Sequence, residues 1–229
     1  MAGESGETAF AKGSAEYARG EFGEAIEQYE NAVRSHEWSG PLFYNLGNAF
    51  FRVGDFGNSI LSYERALQLS PHLPEAEANL RLAREQSRAL ELRPGGIERY
   101  AGFASVDVYA VVAAFTFWIA ASCGAINSFH QRRRKGLVVL IAVAILVFAA
   151  ASYAVRLLET GSKGGALAII TAKNAEARSA TADNASTVLP LPPGSEIEVV
   201  SRRGDWIYAT LPNDFRGWVP ASAAEFVRL

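Results

Sequence analysis

The chain has 229 residues, with 22 Lys and Arg against 24 Asp and Glu, for a formal net charge of −2. That length fits one or two domains at ~100–200 residues each, and the near-neutral balance excludes both a nucleic-acid footprint and an acidic tail. The single cysteine, Cys123, excludes an internal disulfide; it sits in an apolar run, where packing is its ordinary role.

The opening residues, Met1-Ala2-Gly3-Glu4-Ser5-Gly6-Glu7, carry no basic n-region and no apolar h-region of an export signal. Behind them the sequence repeats itself. Gly20-Glu21-Phe22, Ala25, Tyr29 and Ala32 return as Gly54-Asp55-Phe56, Ser59, Tyr63 and Ala66, an offset of 34 residues at every position. Gly13 likewise returns as Gly47, and Phe10 as Tyr44. Small residues at Gly47 and Ala66 let two helices approach closely while Tyr63 fills the space between them. Gly54 can end a helix in the left-handed conformation, and Asp55 can cap the next one. Pro74 to Leu92 then predicts a further helix, polar on one side, that caps the stack.

This period and pattern resemble the tetratricopeptide repeat, a helix–turn–helix unit. The second copy (Leu46-Gly47, Phe50, Gly54, Tyr63, Ala66, Pro71) matches best; the first departs, with Lys12 where Leu is usual and Glu37 in place of the closing Pro. Such units bury their apolar faces only against neighbours, about three being the usual minimum, so two repeats plus a cap form a marginal array. The resemblance implies a concave protein-binding groove lined by the first helix of each repeat. Here that maps to Phe10, Ser14, Tyr17, Tyr44, Asn45, Asn48, Phe51, Arg52 and Asn79. Asn side chains supply the donors and acceptors that suit an extended peptide, whereas the lysines with which some members clamp a terminal carboxylate are missing. The competing reading is that these aromatics pack and the Asn residues are merely solvated. Glu21, Glu24, Glu27 and Glu30, at helical spacing, read as a wet outer face rather than a carboxylate active site.

Arg93-Pro94-Gly95-Gly96 breaks the helical pattern, and Tyr100 and Phe103 are placed to sit at a headgroup level. Two uncharged apolar runs follow, Val108 to Ile126 and Leu137 to Val155. Each is close to the ~20 residues that cross about 30 Å of hydrocarbon as a helix, and each is apolar on every face. Small residues (Ser122, Gly124, Ala125; Ala149-Ala150-Ala151-Ser152) allow the two helices to meet. No Asp, Glu, Lys, Arg or His lies within either run, which points to an anchor rather than a transport path. Between them stands His130-Gln131-Arg132-Arg133-Arg134-Lys135-Gly136. Short basic loops stay cytoplasmic, so Arg132, Arg133, Arg134 and Lys135 place both flanking parts outside the cytoplasm, on one side. Export of the first part requires a leader. The expectation is that the sequence begins downstream of a removed one; an inverted orientation is the alternative.

Past the Gly161 to Gly165 linker the pattern turns to strands. Ala166 to Ala172 and Glu196 to Val200 are rich in β-branched residues, while Trp206 to Thr210 and Arg216 to Pro220 alternate. Arg203-Gly204-Asp205 and Pro212-Asn213-Asp214 supply turns. Five short strands in some sixty residues predict a small β-barrel. Ala175-Glu176-Ala177-Arg178-Ser179, Leu191-Pro192-Pro193-Gly194, Gly204-Asp205-Trp206 and Gly217-Trp218-Val219-Pro220 resemble bacterial SH3-type domains over about 169–227. That likeness implies contact with cell-wall peptides or envelope proteins, with Trp206 and Trp218 as the candidate surface and in part structural. Asn184-Ala185-Ser186 fits a glycosylation sequon, a pattern frequent by chance.

The expected organisation is multidomain. It comprises an all-α tetratricopeptide helical repeat at 1–92, a linker at 93–105 and a transmembrane helix at 106–129. A basic loop at 130–136, a second transmembrane helix at 137–157 and a linker at 158–165 follow. A C-terminal all-β SH3-like barrel at 166–229 completes the chain. This order resembles the BatE-type proteins of the aerotolerance (Bat) operon group. The likeness implies an inner-membrane envelope scaffold that works with von Willebrand A-domain partners and a MoxR-type ATPase in stress tolerance. No catalytic, cofactor or metal constellation is visible: His36, His72 and His130 are isolated, and there is no phosphate-cradling loop or nucleophile elbow. Two functions remain. One is an assembly scaffold whose repeats hold a membrane-complex partner; the other is a peptidoglycan-binding module with the SH3-like barrel as its working end.

Overall fold

The computed structural model describes residues 6–93, 95, 100–101, 103–129, 135–160, 164–182 and 184–229. Met1 to Ser5, Pro94, Gly96, His130 and the loop arginines Arg132, Arg133 and Arg134 lie outside the described residues. The chain divides into two compact units: Met1–Arg93 with Ala166–Leu229, and Pro94–Gly165.

The first unit begins with helices α1 (Gly6–Arg19), α2 (Phe22–Arg34), α3 (Gly40–Arg52), α4 (Phe56–Leu69) and α5 (Pro74–Ser87). The 34-residue offset is reproduced contact by contact. Phe10 meets Tyr29 at 5.8 Å between ring centroids, and Tyr44 meets Tyr63 at 6.1 Å; Tyr17–Phe22 and Phe51–Phe56 repeat at 5.2 and 5.6 Å. A methyl on Gly13 would lie 2.9 Å from the Tyr29 ring and one on Gly47 2.7 Å from that of Tyr63, so glycine is required at both by close approach. Gly20 and Gly54 turn the chain at φ 82° and 78°, a conformation that costs glycine little. Asp55 then accepts from the Asn58 N–H at 3.3 Å, capping α4. Ala9, Ala25, Tyr29, Ala32, Leu42, Phe43, Leu46 and Ala49 form the repeat core.

Strands β1 (Leu167–Ile170), β2 (Ala175–Arg178), β3 (Thr187–Leu191), β4 (Glu196–Arg203), β5 (Trp206–Thr210), β6 (Arg216–Pro220) and β7 (Ala224–Phe226) complete this unit. They form a seven-stranded sheet in the order β3-β2-β6-β5-β4-β1-β7, its pairs antiparallel. Alternation sends Ile207, Ala209 and Val219 into the core with Ala177, Leu191 and Ile197. Five strands were expected and seven form: the ranges read from sequence fall on β1, β4, β5 and β6, and the sheet ends in β3 and β7. Both are edges, which tolerate the Pro190 that makes β3 illegible as a strand.

Helices and sheet share a second core. Ile60, Leu61, Tyr63, Leu80, Ala83 and Leu92 pack with Leu167, Ile169 and Val227. Gly194, at φ +85°, sits so close to α4 that a methyl there would lie 2.1 Å from Ile60 Cδ1. Arg65 donates to Glu225 Oε1 and to the Phe226 carbonyl, both at 2.8 Å. The helix expected from Pro74 to Leu92 stops at Ser87, with Arg88 left-handed at φ 54°, because the next residues pair with the sheet. The Glu196 N–H donates to the Leu90 carbonyl (2.9 Å), and the Leu90 N–H donates to Ser195 Oγ (3.1 Å).

In the second unit, α6 (Val106–Phe129) packs on α7 (Lys135–Thr160). Two helices, Val106–Ser128 and Lys135–Glu159, are long and apolar enough to cross a membrane. The least exposed residues of α6, from Tyr109 through Ala113, Thr116, Ala120 and Cys123 to Asn127, recur every three or four positions. Ala113, Ala144 and Ala151 are buried, while Phe115, Trp118 and Leu146 point outward at 69%, 67% and 71% exposure. Alanines therefore make the close seam. Gly124 has open space where a Cβ would stand, and Ala149 and Ala150 are exposed.

Candidate functional site

The repeats enclose a cavity of about 190 Å³ lined by Tyr17, Asn48, Phe51, Arg52, Tyr63, Asn79 and Leu82. Its residues come from α1, α3, α4 and α5, so the turn-to-turn repetition of the fold builds it. Tyr63 forms the inner wall: its hydroxyl donates to Asn48 Oδ1 at 2.7 Å. Asn79 Nδ2 donates to the same oxygen at 2.9 Å and to the Tyr44 hydroxyl at 3.4 Å. The equivalent bond in the first repeat runs from the Tyr29 hydroxyl to Ser14 Oγ at 3.2 Å. Burial is the main cause that raises the Tyr63 pKa, against the lowering influence of Ser59 and Asn79. Its hydroxyl is thus a neutral donor at physiological pH.

At the rim, Arg52 stacks over the Phe22 ring at 4.2 Å, a contact that holds the guanidinium in place while leaving its edge free to donate. No carboxylate pairs with it among the described residues. Leu82 is 43% exposed and lines the cavity together with Phe51 as its apolar part. The cavity therefore offers one cation, an apolar wall and amide groups on Asn48 and Asn79.

Of the groove residues expected from sequence, the structure brings Tyr17, Asn48, Phe51, Arg52 and Asn79 together in this cavity. Tyr44 stands behind Asn79, and Ser14 is tied to Tyr29. Phe10 lines a different depression with Gly6, Glu7, Glu37 and Trp38, and Asn45 lines neither. Tyr63 and Leu82 were missed. The repeat spacing marks Tyr63 for packing alone, whereas Leu82 follows Asn79 by three positions on the same helical face, a signal present in the sequence. Glu21, Glu24 and Glu27 are exposed and Glu30 half-exposed, with Glu30 pairing to Arg34 at 3.6 Å.

A larger depression of about 640 Å³ lies along the other side of α5, but Arg81, Arg84 and Arg88 there balance Glu77, Glu85 and Glu91, so neither sign of ligand is favoured. On the sheet, Trp206 and Trp218 are half-buried on the outward face. Tyr208 and Trp218 pair across strands at 5.0 Å, and Arg178 is in register with Trp218. Among the described residues no group of three His, Cys, Asp or Glu could hold a metal ion.

Residues 10–74 match the family model described as tetratricopeptide repeat. No curated protein matches the chain. Among solved structures, the Sgt2 TPR domain from Aspergillus fumigatus aligns over 65% of this chain and 82% of its own, at 16% identity and a TM-score of 0.34; a likeness that low carries no weight for the arrangement. The family match and the repeated contacts agree that this segment is a tetratricopeptide-repeat element, a module that generally serves protein–protein interaction rather than catalysis.

Proposed function

We propose that the protein is a membrane-anchored interaction scaffold of the bacterial envelope whose tetratricopeptide groove holds a partner protein. The observation that carries this reading is the 190 Å³ cavity, with Arg52 unpaired among the described residues beside Phe51, Leu82 and the two asparagines. It suits an extended segment that lays an apolar side chain on Phe51 and Leu82, its backbone along Asn48 and Asn79, and an acidic group at Arg52.

In this reading α6 and α7 cross the inner membrane as a hairpin, and the basic run Arg132 to Lys135 stays in the cytoplasm. The core shared by Leu92 and Leu167 supports it, because segments that pack together occupy one compartment; an even number of crossings between them follows. Both soluble parts then face the periplasm. The C-terminal sheet is read as an SH3-like barrel, and the order of parts supports a BatE-type role beside von Willebrand A-domain and MoxR-type partners.

The full chain, purified in lipid nanodiscs and immobilised, tests the groove. Wild-type protein captures von Willebrand A-domain partners from solubilised envelopes, and Arg52→Glu with Phe51→Ala abolishes that capture while helicity is unchanged. Equal capture by wild type and the double variant contradicts the groove. A second reading, a cell-wall peptide module, is favoured by the outward Tyr208–Trp218 pair beside Arg178. It predicts that the full chain sediments with purified peptidoglycan and that Trp218→Ala with Tyr208→Ala releases it.

A further inference from the structure

A repeat array ends in a helix whose outer apolar side must be covered, ordinarily by one more helix. Here Leu80 and Ala83 of α5 share one buried core with Ile60, Leu61 and Tyr63 of α4 and with Leu167, Ile169 and Val227 of the sheet. The sheet closes that core. Besides the bonds of Arg65 and Ser195, a set of polar contacts at this junction converges on Glu196, which is 1% exposed. Its Oε1 pairs with Arg84 Nη2, its Oε2 accepts from the Leu92 N–H at 3.0 Å, and its own N–H donates to the Leu90 carbonyl at 2.9 Å. Arg84 Nη2 also pairs with Glu64 on α4, so one guanidinium ties α4, α5 and β4. Arg84 Nε is buried with no hydrogen-bond partner, a cost that the rest of the network must offset.

Arg84 lies five residues from Asn79 and two from Leu82, about 8 Å and 3 Å along the axis of α5. A helix this short moves as a rod. What fixes Arg84 on the sheet side fixes Asn79 and Leu82 on the groove side.

We infer that the C-terminal sheet is the built-in cap of the repeat array, and that Glu196, acting through Arg84, is a positioning residue for the groove. This rests on the groove reading for its functional meaning, but the positioning itself is measurable without any ligand. A buried charge is tolerated when paired and becomes a burden when its partner is removed, whereas replacing both members by apolar groups is close to neutral. The cluster of Arg84, Glu64 and Glu196 therefore gives a test with a built-in rescue.

Hydrogen exchange of the full chain in nanodiscs reads it. In Glu196→Gln, amides of α5 exchange faster by roughly 100-fold, the scale of a lost buried ion-pair partner confined to local opening. Amides of α1 to α3 and of β5 and β6 keep wild-type rates. Arg84→Met combined with Glu64→Leu and Glu196→Gln, which removes the cation and both carboxylates but keeps an acceptor for the Leu92 N–H, returns α5 toward wild-type protection. Should Glu196→Gln fail to fold, Arg84→Lys, which keeps the charge but loses the fork, gives the same comparison. Unchanged α5 exchange overturns the proposal, and so does an equal acceleration across the unit, which marks Glu196 as a residue of general stability. A failure of the groove to capture any partner leaves the exchange pattern standing, so the two ideas fail separately.

Discussion

Asn48 and Asn45 lie three residues apart on α3 and look alike in the sequence, yet only Asn48 accepts from both the Tyr63 hydroxyl and Asn79. Removing it leaves two donors without their acceptor. Asn48→Ala is expected to cost ~1–3 kcal/mol, and Asn45→Ala to stay within about 0.5 kcal/mol of wild type. Chemical denaturation of the two variants, followed by helicity, separates them; equal stabilities contradict the network. It follows that Asn48 is a poor probe of partner binding, and that Phe51 and Arg52 are better ones.

Tyr63 and Tyr29 carry a second consequence at this scale. Burial raises both hydroxyls above the ordinary value of 10.0. A phenol whose folded pKa exceeds its unfolded one contributes its full stability below pH ~10, because neither state has ionised there. Above that, the unfolded chain releases its proton first and the contribution falls as pH rises toward the folded pKa. Melting temperature is expected to hold from neutral pH to about pH 9.5 and to fall above pH 10, and Tyr29→Phe with Tyr63→Phe flattens that fall. An identical alkaline fall in the variant contradicts the assignment.

Among the elements, the helices of the repeat were the most legible. A 34-residue offset carries Phe10 onto Tyr44 and Ser14 onto Asn48, so each local contact is written twice. Strands β2, β5 and β6 carried alternation or a motif; β3 did not, since Pro190 breaks the pattern of a strand. The end of α5 was illegible because Arg88 is no glycine, and the helix stops for a reason in β4. In the apolar pair, composition pointed to small residues without saying which face they share. Burial assigns the seam to Ala113, Ala144 and Ala151. Ala144→Leu is expected to prise α6 and α7 apart, whereas Ala149→Leu, on the exposed side, leaves them in place. Spin labels at Phe117 and Phe148, whose rings lie 5.9 Å apart, report the difference; equal separations in the two variants contradict the seam.

At the scale of the whole molecule, the sequence hides a buried ion pair between its two ends. Arg84 and Glu196 are 112 positions apart, separated by the entire apolar insertion, and neither lies in a pattern that marks it as buried. A strand beginning with Glu reads as half-solvated, and an Arg on the last repeat helix reads as surface. Only the folded chain brings residues 60–92 and 167–227 into one core, and that core ties the compartment of the repeats to the compartment of the sheet.

The direct test places cysteines at the junction itself, as Arg65→Cys and Glu225→Cys in a Cys123→Ser background, with a protease site inserted after Arg134. Native membranes are treated with a short bis-maleimide and then with protease. Because the Arg65 and Glu225 side chains meet at 2.8 Å in the folded protein, the two fragments are predicted to stay joined on a denaturing gel, at a yield independent of protein concentration. Fragments that separate, or that join only between differently tagged copies, contradict a single folded body built from the two ends of the chain.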